Sequence, residues 1–271
     1  MPSTCCGAGH EADRSRAASS SAEEDKRVDP FTVAATVAAV IAGAIASISG
    51  FGIGSVLTPV LAIQFDVRLA IAMVSLPHLA GTFVRFLLVR THIDRQVLLG
   101  FGAASAIGGL VGAALQAVVQ SAALAVVFGL LLLFAGLGSV TGFAQRMRFS
   151  GRRSALVGGA LSGLLGGLVG NQGGIRAAAL LGFDVERETF VATATAVALI
   201  VDGARIPVYL AAQGAELVAH WLLIGTLATG AVIGTLLGGF TLRRMSEATF
   251  RRAVGVLLLG LGGYTLARAL S

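Results

Sequence analysis

From Phe31 onward the chain alternates apolar runs with short clusters of charge. The longer runs hold about 20 residues, the helical length that crosses a hydrocarbon core of roughly 30 Å. Lipid offers no partner to backbone N–H and C=O groups, so such runs are confined to helices that satisfy their own hydrogen bonds. Composition points the same way: 13% of residues are charged and 55% hydrophobic, with a mean hydropathy of +0.85, against roughly 25% charge in soluble domains. The expected fold class is an all-α polytopic membrane protein, multi-pass in the inner membrane, with the lipid bilayer as a partner.

A net charge of +6 would suit nucleic acid, but the basic residues sit between the apolar runs and form no stripe. They are read as topology determinants of short cytoplasmic loops, and no nucleic-acid partner is expected. Residues 1–30 are rich in Ser, Ala, Glu, Asp and Arg without apolar period and are expected to be a disordered polar tail. That tail lacks a short apolar core followed by a small-residue cleavage site, so no removable signal peptide is expected. Cys5 and Cys6 are adjacent, a placement that strains a mutual bridge, and are read as incidental thiols. No Walker loop, His-x-x-x-His pair or clustered cysteine set is present. The expectation is no cofactor, no metal and no enzyme activity.

The apolar runs read as Phe31–Ser49, Ser55–Phe65, Leu69–Val89, Val97–Val119 and Ala122–Phe143, then again as Ala155–Val169, Gly174–Phe183, Phe190–Ala212, Leu217–Leu242 and Ala253–Leu270. In each set the first long run meets a glycine-rich break and a segment too short to span follows. The breaks are Ser49-Gly50-Phe51-Gly52-Ile53-Gly54 and Gly170-Asn171-Gln172-Gly173-Gly174. Phe65-Asp66-Val67 reappears as Phe183-Asp184-Val185, 118 residues on, and the same offset carries Gly52 to Gly170. An internal duplication follows: a tail at 1–30, an N-terminal repeat at 31–143, a basic cytoplasmic loop at 144–153 and a C-terminal repeat at 154–271.

Arginines at 146, 148, 152 and 153, and at 243, 244, 251 and 252, put those two loops on the cytoplasmic side. Counting outward, the loop Arg90–Arg95 is cytoplasmic, while Gln120 and a turn over Ala211–Glu216 face the other side. Equivalent points of the two copies then lie on opposite faces. The repeats are inverted, each a broken-helix hairpin plus three transmembrane helices, about eight spans in all.

Backbone that leaves the helical pattern inside a membrane is tolerated where it lines a cavity. Glycines at the breaks permit close approach, and the N-terminus of each short helix is positively polarised. The candidate substrate-binding residues are therefore Ser49, Gly50, Gly52, Gly54, Ser55, Gly170, Asn171, Gln172, Gly173, Gly174 and Arg176. The alternative for the glycines is helix packing, and for Asn171 and Gln172 capping of freed backbone. Arg176, on the first turn of the second short helix, either contacts an anion or pairs with Asp184 or Asp202. Asp202 and Arg205 share a helical face; they either neutralise each other or Asp202 carries protons. His78, beside Pro77, is a proton relay or a packed histidine. His78, Asp202 and Arg205 form the proton-coupling or gating set. Arg85 is read as snorkelling to headgroups, and Trp221, Tyr209 and Tyr264 as an interfacial belt.

The stretch Gly166-Gly167-Leu168-Val169-Gly170-Asn171-Gln172-Gly173-Gly174-Ile175-Arg176, with Ala192-Thr193-Ala194-Thr195-Ala196 and Val201-Asp202-Gly203-Ala204-Arg205, resembles the second half of the TauE/SafE sulfite exporter family. The first half agrees through Ser49-Gly50-Phe51-Gly52-Ile53-Gly54 and Thr58-Pro59-Val60-Leu61. The resemblance covers about residues 31–271 and departs at Gly52-Ile53-Gly54, where relatives commonly carry only glycine. It implies a permease of a small anion, with sulfite and other small sulfur-containing anions as the family's substrates. The leading reading is a permease that binds sulfite, an organosulfonate or a similar anion between the broken helices and exposes it alternately as one bundle moves against the other. A homodimer is left open. The competing reading is a non-transporting membrane scaffold or accessory subunit.

Overall fold

A computed structural model describes residues 29–49, 52–142, 152–170, 176, 180, 183, 186–241 and 247–270, and every regular element among them is helical. By contacts the chain divides into 1–34 and 35–271. In the first unit Asp29 opens helix α1 (Pro30–Ser49): its Oδ1 accepts from Phe31 N–H at 3.3 Å, and proline, which has no N–H to leave unpaired, takes the first helical position.

In the second unit α1 continues to Ser49 and is followed by the short α2 (Ile53–Leu61), then α3 (Val67–Val89), α4 (Arg95–Val118), α5 (Ser121–Thr141), α6 (Arg152–Val169), α7 (Arg187–Ala219), α8 (Trp221–Thr241) and α9 (Glu247–Leu270). Among the described residues seven helices are long and apolar enough to cross a membrane: α1, α3, α4, α5, α7, α8 and α9. The apolar stretch of α6, Leu156–Val169, is shorter and ends at Gly170. This is an all-α polytopic membrane protein.

Without a hydrophobic drive between helices in lipid, close packing of small residues holds a bundle together. On α6, Gly163 and Gly167 meet the Ser105 and Gly109 carbonyls of α4, which returns Gly108 and Gly112 against Ala160 and Leu164. On α8, Gly230, Gly234 and Gly238 meet Thr36, Val40 and Ala44 of α1. On α5, Gly136 meets Gly255 of α9. A Cβ at Gly163 would run into the Ser105 carbonyl, so these crossings need the missing side chain. Helix α3 packs on both α7 and α8, and α7 on α4. At Leu98–Gly102, α4 widens into one π-helical turn, which sets buried Phe101 edge-on to Phe183 at 6.1 Å.

Two sequence expectations change. The turn expected over Ala211–Glu216 is helical: α7 runs to Ala219 and the chain turns at His220. The residues there include Ala, Gln and Glu, which favour helix, and Gln213 takes a kink (φ −136°) instead of a break. The repeated Phe-Asp-Val tripeptide also has a local explanation. Asp66 is the N-cap of α3, accepting from Arg68 N–H at 2.9 Å and from Ser121 Oγ at 2.8 Å. Helix boundaries follow a different offset from the tripeptide: α1 and α6 end at 49 and 169, α3 and α7 begin at 67 and 187, each 120 residues apart.

Candidate functional site

The first break is a real interruption. Helix α1 stops at Ser49 and α2 restarts at Ile53 through Gly52, whose φ of 140° excludes a side chain at ordinary cost. Helix α6 stops likewise at Val169, with Gly170 at φ 72°. The two interruptions touch: a Cβ on Gly54, in the first turn of α2, would collide with the Gly170 carbonyl. Gly52 has no side chain to cap the first turn of α2, whose N–H groups have no acceptor within the helix. Of the sequence candidates, Gly52, Gly54, Ser55 and Gly170 are buried here, and Ser49 closes α1. Gly50, Asn171, Gln172, Gly173 and Gly174 lie outside the described residues, as does Asp184.

Against this crossing stands a buried ionic cluster drawn from both halves of the chain. His78 Nδ1 on α3 lies 2.7 Å from Asp202 Oδ2 on α7. Arg205 donates through Nε and Nη2 to Asp202 Oδ1 at 2.9 and 2.8 Å, and through Nη1 to the Gly166 carbonyl at 2.6 Å. Asp202 is fully buried and Arg205 is 1% exposed. The Asp202–Arg205 pair expected from their spacing is therefore formed, with His78 as a third member that spacing did not predict. The Gly166 carbonyl, in the last turn of α6, also accepts from Gly170 N–H at 3.1 Å, so Arg205 takes its second lone pair. Tyr209, expected at the interface, is instead buried, donates to the Gly167 carbonyl, and has the Arg205 guanidinium 5.9 Å from its ring centre. Trp221 and Tyr264 are exposed, as an interfacial position requires.

Arg176 has helical backbone and is 4% exposed. Its Nη1 makes one long bond, 3.4 Å, to the Ala194 carbonyl, while Nε and Nη2 have no partner among the described residues. No ion pair joins it to Asp202, and the alternative partner Asp184 lies outside the described residues.

The largest departure is Arg85. Expected to snorkel, it is 4% exposed, donates through Nη1 to the Ala46 carbonyl of α1, and leaves Nε unpartnered. Helix α3 carries it inward on the face shared with His78, seven residues earlier. Two hydroxyls complete the set that sequence reasoning missed: Thr58 Oγ1 on α2, beside Gly170, and Thr235 Oγ1 on α8, beside Gly81, are buried without partners. Arg85 and Arg205 are 120 residues apart, as are the carbonyls they hold, Ala46 and Gly166. That offset was the signal available, and the tripeptide match at 118 hid it.

A cavity of about 210 Å³ lies apart from this cluster, at the other end of α2, lined by Phe65, Asp66, Ser121, Tyr264 and Arg268. Arg268 reaches into the turn after α2, donating to the Ile63 carbonyl at 2.7 Å and to Ala62. The ionic cluster is closed, with His78 its most exposed member at 9%. No group of three or more His, Cys, Asp or Glu among the described residues has metal-binding geometry.

Chemically, the arrangement is a buried, cationic, donor-rich cluster beside the meeting of two interrupted helices. Neither a search of curated proteins nor one of solved structures returns a match. Residues 35–265 match the family model described as Sulfite exporter TauE/SafE, and the chain belongs to that family of membrane transporters.

Proposed function

We propose that the chain is a secondary transporter of a small anion, a sulfite-like or sulfonate oxyanion, bound where the two broken helices meet. The observation that carries this is the group of buried donors without acceptors: Arg176 Nε and Nη2, Arg85 Nε, Thr58 Oγ1 and Thr235 Oγ1. Each orphaned buried group costs about 1–3 kcal/mol, and a guanidinium without a countercharge costs more. An oxyanion with several acceptor oxygens removes these penalties together, and a planar guanidinium can hold it in bidentate fashion. The scaffold reading has no comparable use for them.

Two repeats, 31–143 and 154–271, joined by the basic loop at 144–153, belong to the same reading. Exchanging them maps the α4–α6 contact onto α8–α1 and the α3–α8 contact onto α7–α4, while α3–α7 and α5–α9 map onto themselves. Because these pairs join one repeat to the other, exposure alternates by movement of helices about the breaks rather than by one repeat rocking on the other. His78 and Asp202, contributed by different repeats, are the groups through which protons would be linked to the anion. An all-helical membrane bundle fits the inner membrane, since outer-membrane proteins are built as barrels.

The test is thermal unfolding of purified protein with sulfite, small sulfonates and carboxylates. The wild type is expected to be stabilised by at least one sulfur oxyanion. Arg176→Ala is expected to fold and lose that response, and an undiminished response in the variant would remove Arg176 from the site.

A further inference from the structure

The buried charges do not balance among the described residues. Among the described residues the buried ionisable side chains of the bundle interior are Arg85, Arg176 and Arg205 against a single carboxylate, Asp202, with His78 beside it. Arginine stays ionised in proteins. With His78 uncharged, three positive charges face one negative charge, an excess of two. Asp202 is already committed to Arg205 and His78 through three contacts of 2.7 to 2.9 Å. Among the described residues neither Arg85 nor Arg176 has a carboxylate within ion-pair distance. Helix ends do not supply the difference. The Ala46 and Gly166 carbonyls are partial charges of closed helix termini, and each already accepts from one arginine.

We infer that the site takes a doubly charged oxyanion, held between Arg85 of the first half and Arg176 of the second. This rests on the anion reading above and adds to it the valence of the ligand and a second guanidinium. Arg205 is spent: its Nε, Nη1 and Nη2 all have partners. Arg85 and Arg176 keep unpartnered nitrogens, and they come from opposite halves, one on α3 and one after the second break. The two orphan hydroxyls, on α2 and α8, are suited to the remaining oxygens. A monoanion would leave one positive charge uncompensated in the apolar interior, where such a charge is costly. A dianion leaves none.

Sulfate and methanesulfonate separate valence from shape. Both are tetrahedral sulfur oxyanions, one doubly and one singly charged throughout the neutral range. Equilibrium binding of each is to be measured by calorimetry on the full chain in nanodiscs, at constant ionic strength set with a large inert salt. The expected result is sulfate binding at least about tenfold tighter than methanesulfonate. Arg85→Gln is expected to bring that ratio close to one by weakening sulfate alone, and Arg85→Lys, which keeps the charge, to retain it. Equal affinity of the wild type for the two anions would overturn the valence assignment and leave an anion site standing. A ratio unchanged in Arg85→Gln would overturn the role of Arg85, and binding of neither anion would sink the anion reading itself. If Arg85→Gln does not fold, the wild-type ratio alone decides the valence.

Discussion

Arg85 and Arg205 occupy matching places on α3 and α7, and each donates to a carbonyl three residues before the end of an interrupted helix. Their surroundings differ. Arg205 has Asp202 one helical turn away, and the position that matches Asp202 in the first half is Thr82, a buried hydroxyl. His78 is matched in the second half by Ala198, also buried. The Arg205 site is thus charge-neutral and tied to α3 by a histidine, while the Arg85 site has no carboxylate among the described residues. The matching positions supply the scaffold and the departures from the match supply the chemistry: the neutral site resembles a fixed strut, and the Arg85 site carries a charge in need of a partner.

The sharpest way to break this comparison is to remove each arginine in turn. Arg205→Gln strands Asp202 in the interior and is expected to lower unfolding stability by about 3–5 kcal/mol. Arg85→Gln removes a charge that has no carboxylate partner, so its lost hydrogen bond is partly offset, and the cost should stay under about 2 kcal/mol. Thermal melts in one detergent compare the two directly, and equal losses would mean that the two sites are not electrostatically different.

Backbone at the second break gives the next effect. Gly170→Ala forces a side chain into the left-handed region at φ 72° and should cost about 1–2 kcal/mol. Gly203→Ala on α7, where an added Cβ meets nothing within 4 Å, should be neutral or stabilising by about 0.5 kcal/mol. The pair of melting temperatures reads out the difference.

Thr82→Asp sharpens the comparison by building the missing carboxylate three residues before Arg85. It should pair with Arg85, leave stability near the wild-type value and reduce sulfate affinity by about tenfold, measured by calorimetry. The smallest effect belongs to Thr58→Val. Replacing an unpartnered buried hydroxyl by a methyl of similar shape should change stability by less than about 1 kcal/mol while lowering oxyanion affinity, so a melt and a binding isotherm should move independently.

Much of the fold was legible because its signals are local. Run length identified the spans, and the glycine clusters located both interruptions to within a few residues: α1 ends at Ser49 and α6 at Val169. The turn at His220 was misplaced because polarity was taken for a break, whereas Gln213 and Glu216 continue a helix. The site was only half legible. Spacing alone pairs Asp202 with Arg205, but the contact between His78 and Asp202 joins residues 124 apart, and periodicity does not say which face of α3 looks at α7. Arg85 was assigned to headgroups for its nearness to the charged end at Arg90. Aligning the repeats by helix ends places it on Arg205; aligning them by Phe-Asp-Val, where Asp66 answers to a capping requirement, shifts the register by two and loses the match.

The glycine columns carry a consequence for how the molecule is made. Helix α1 emerges from the ribosome well before the surface cut to receive it, Gly230 to Gly238 on α8. Likewise α5 waits for Gly255 on α9. Both helices are therefore made with a narrow face that has no partner until α8 and α9 follow. The crossing of the interruptions obeys the same order, because Gly54 waits for Gly170.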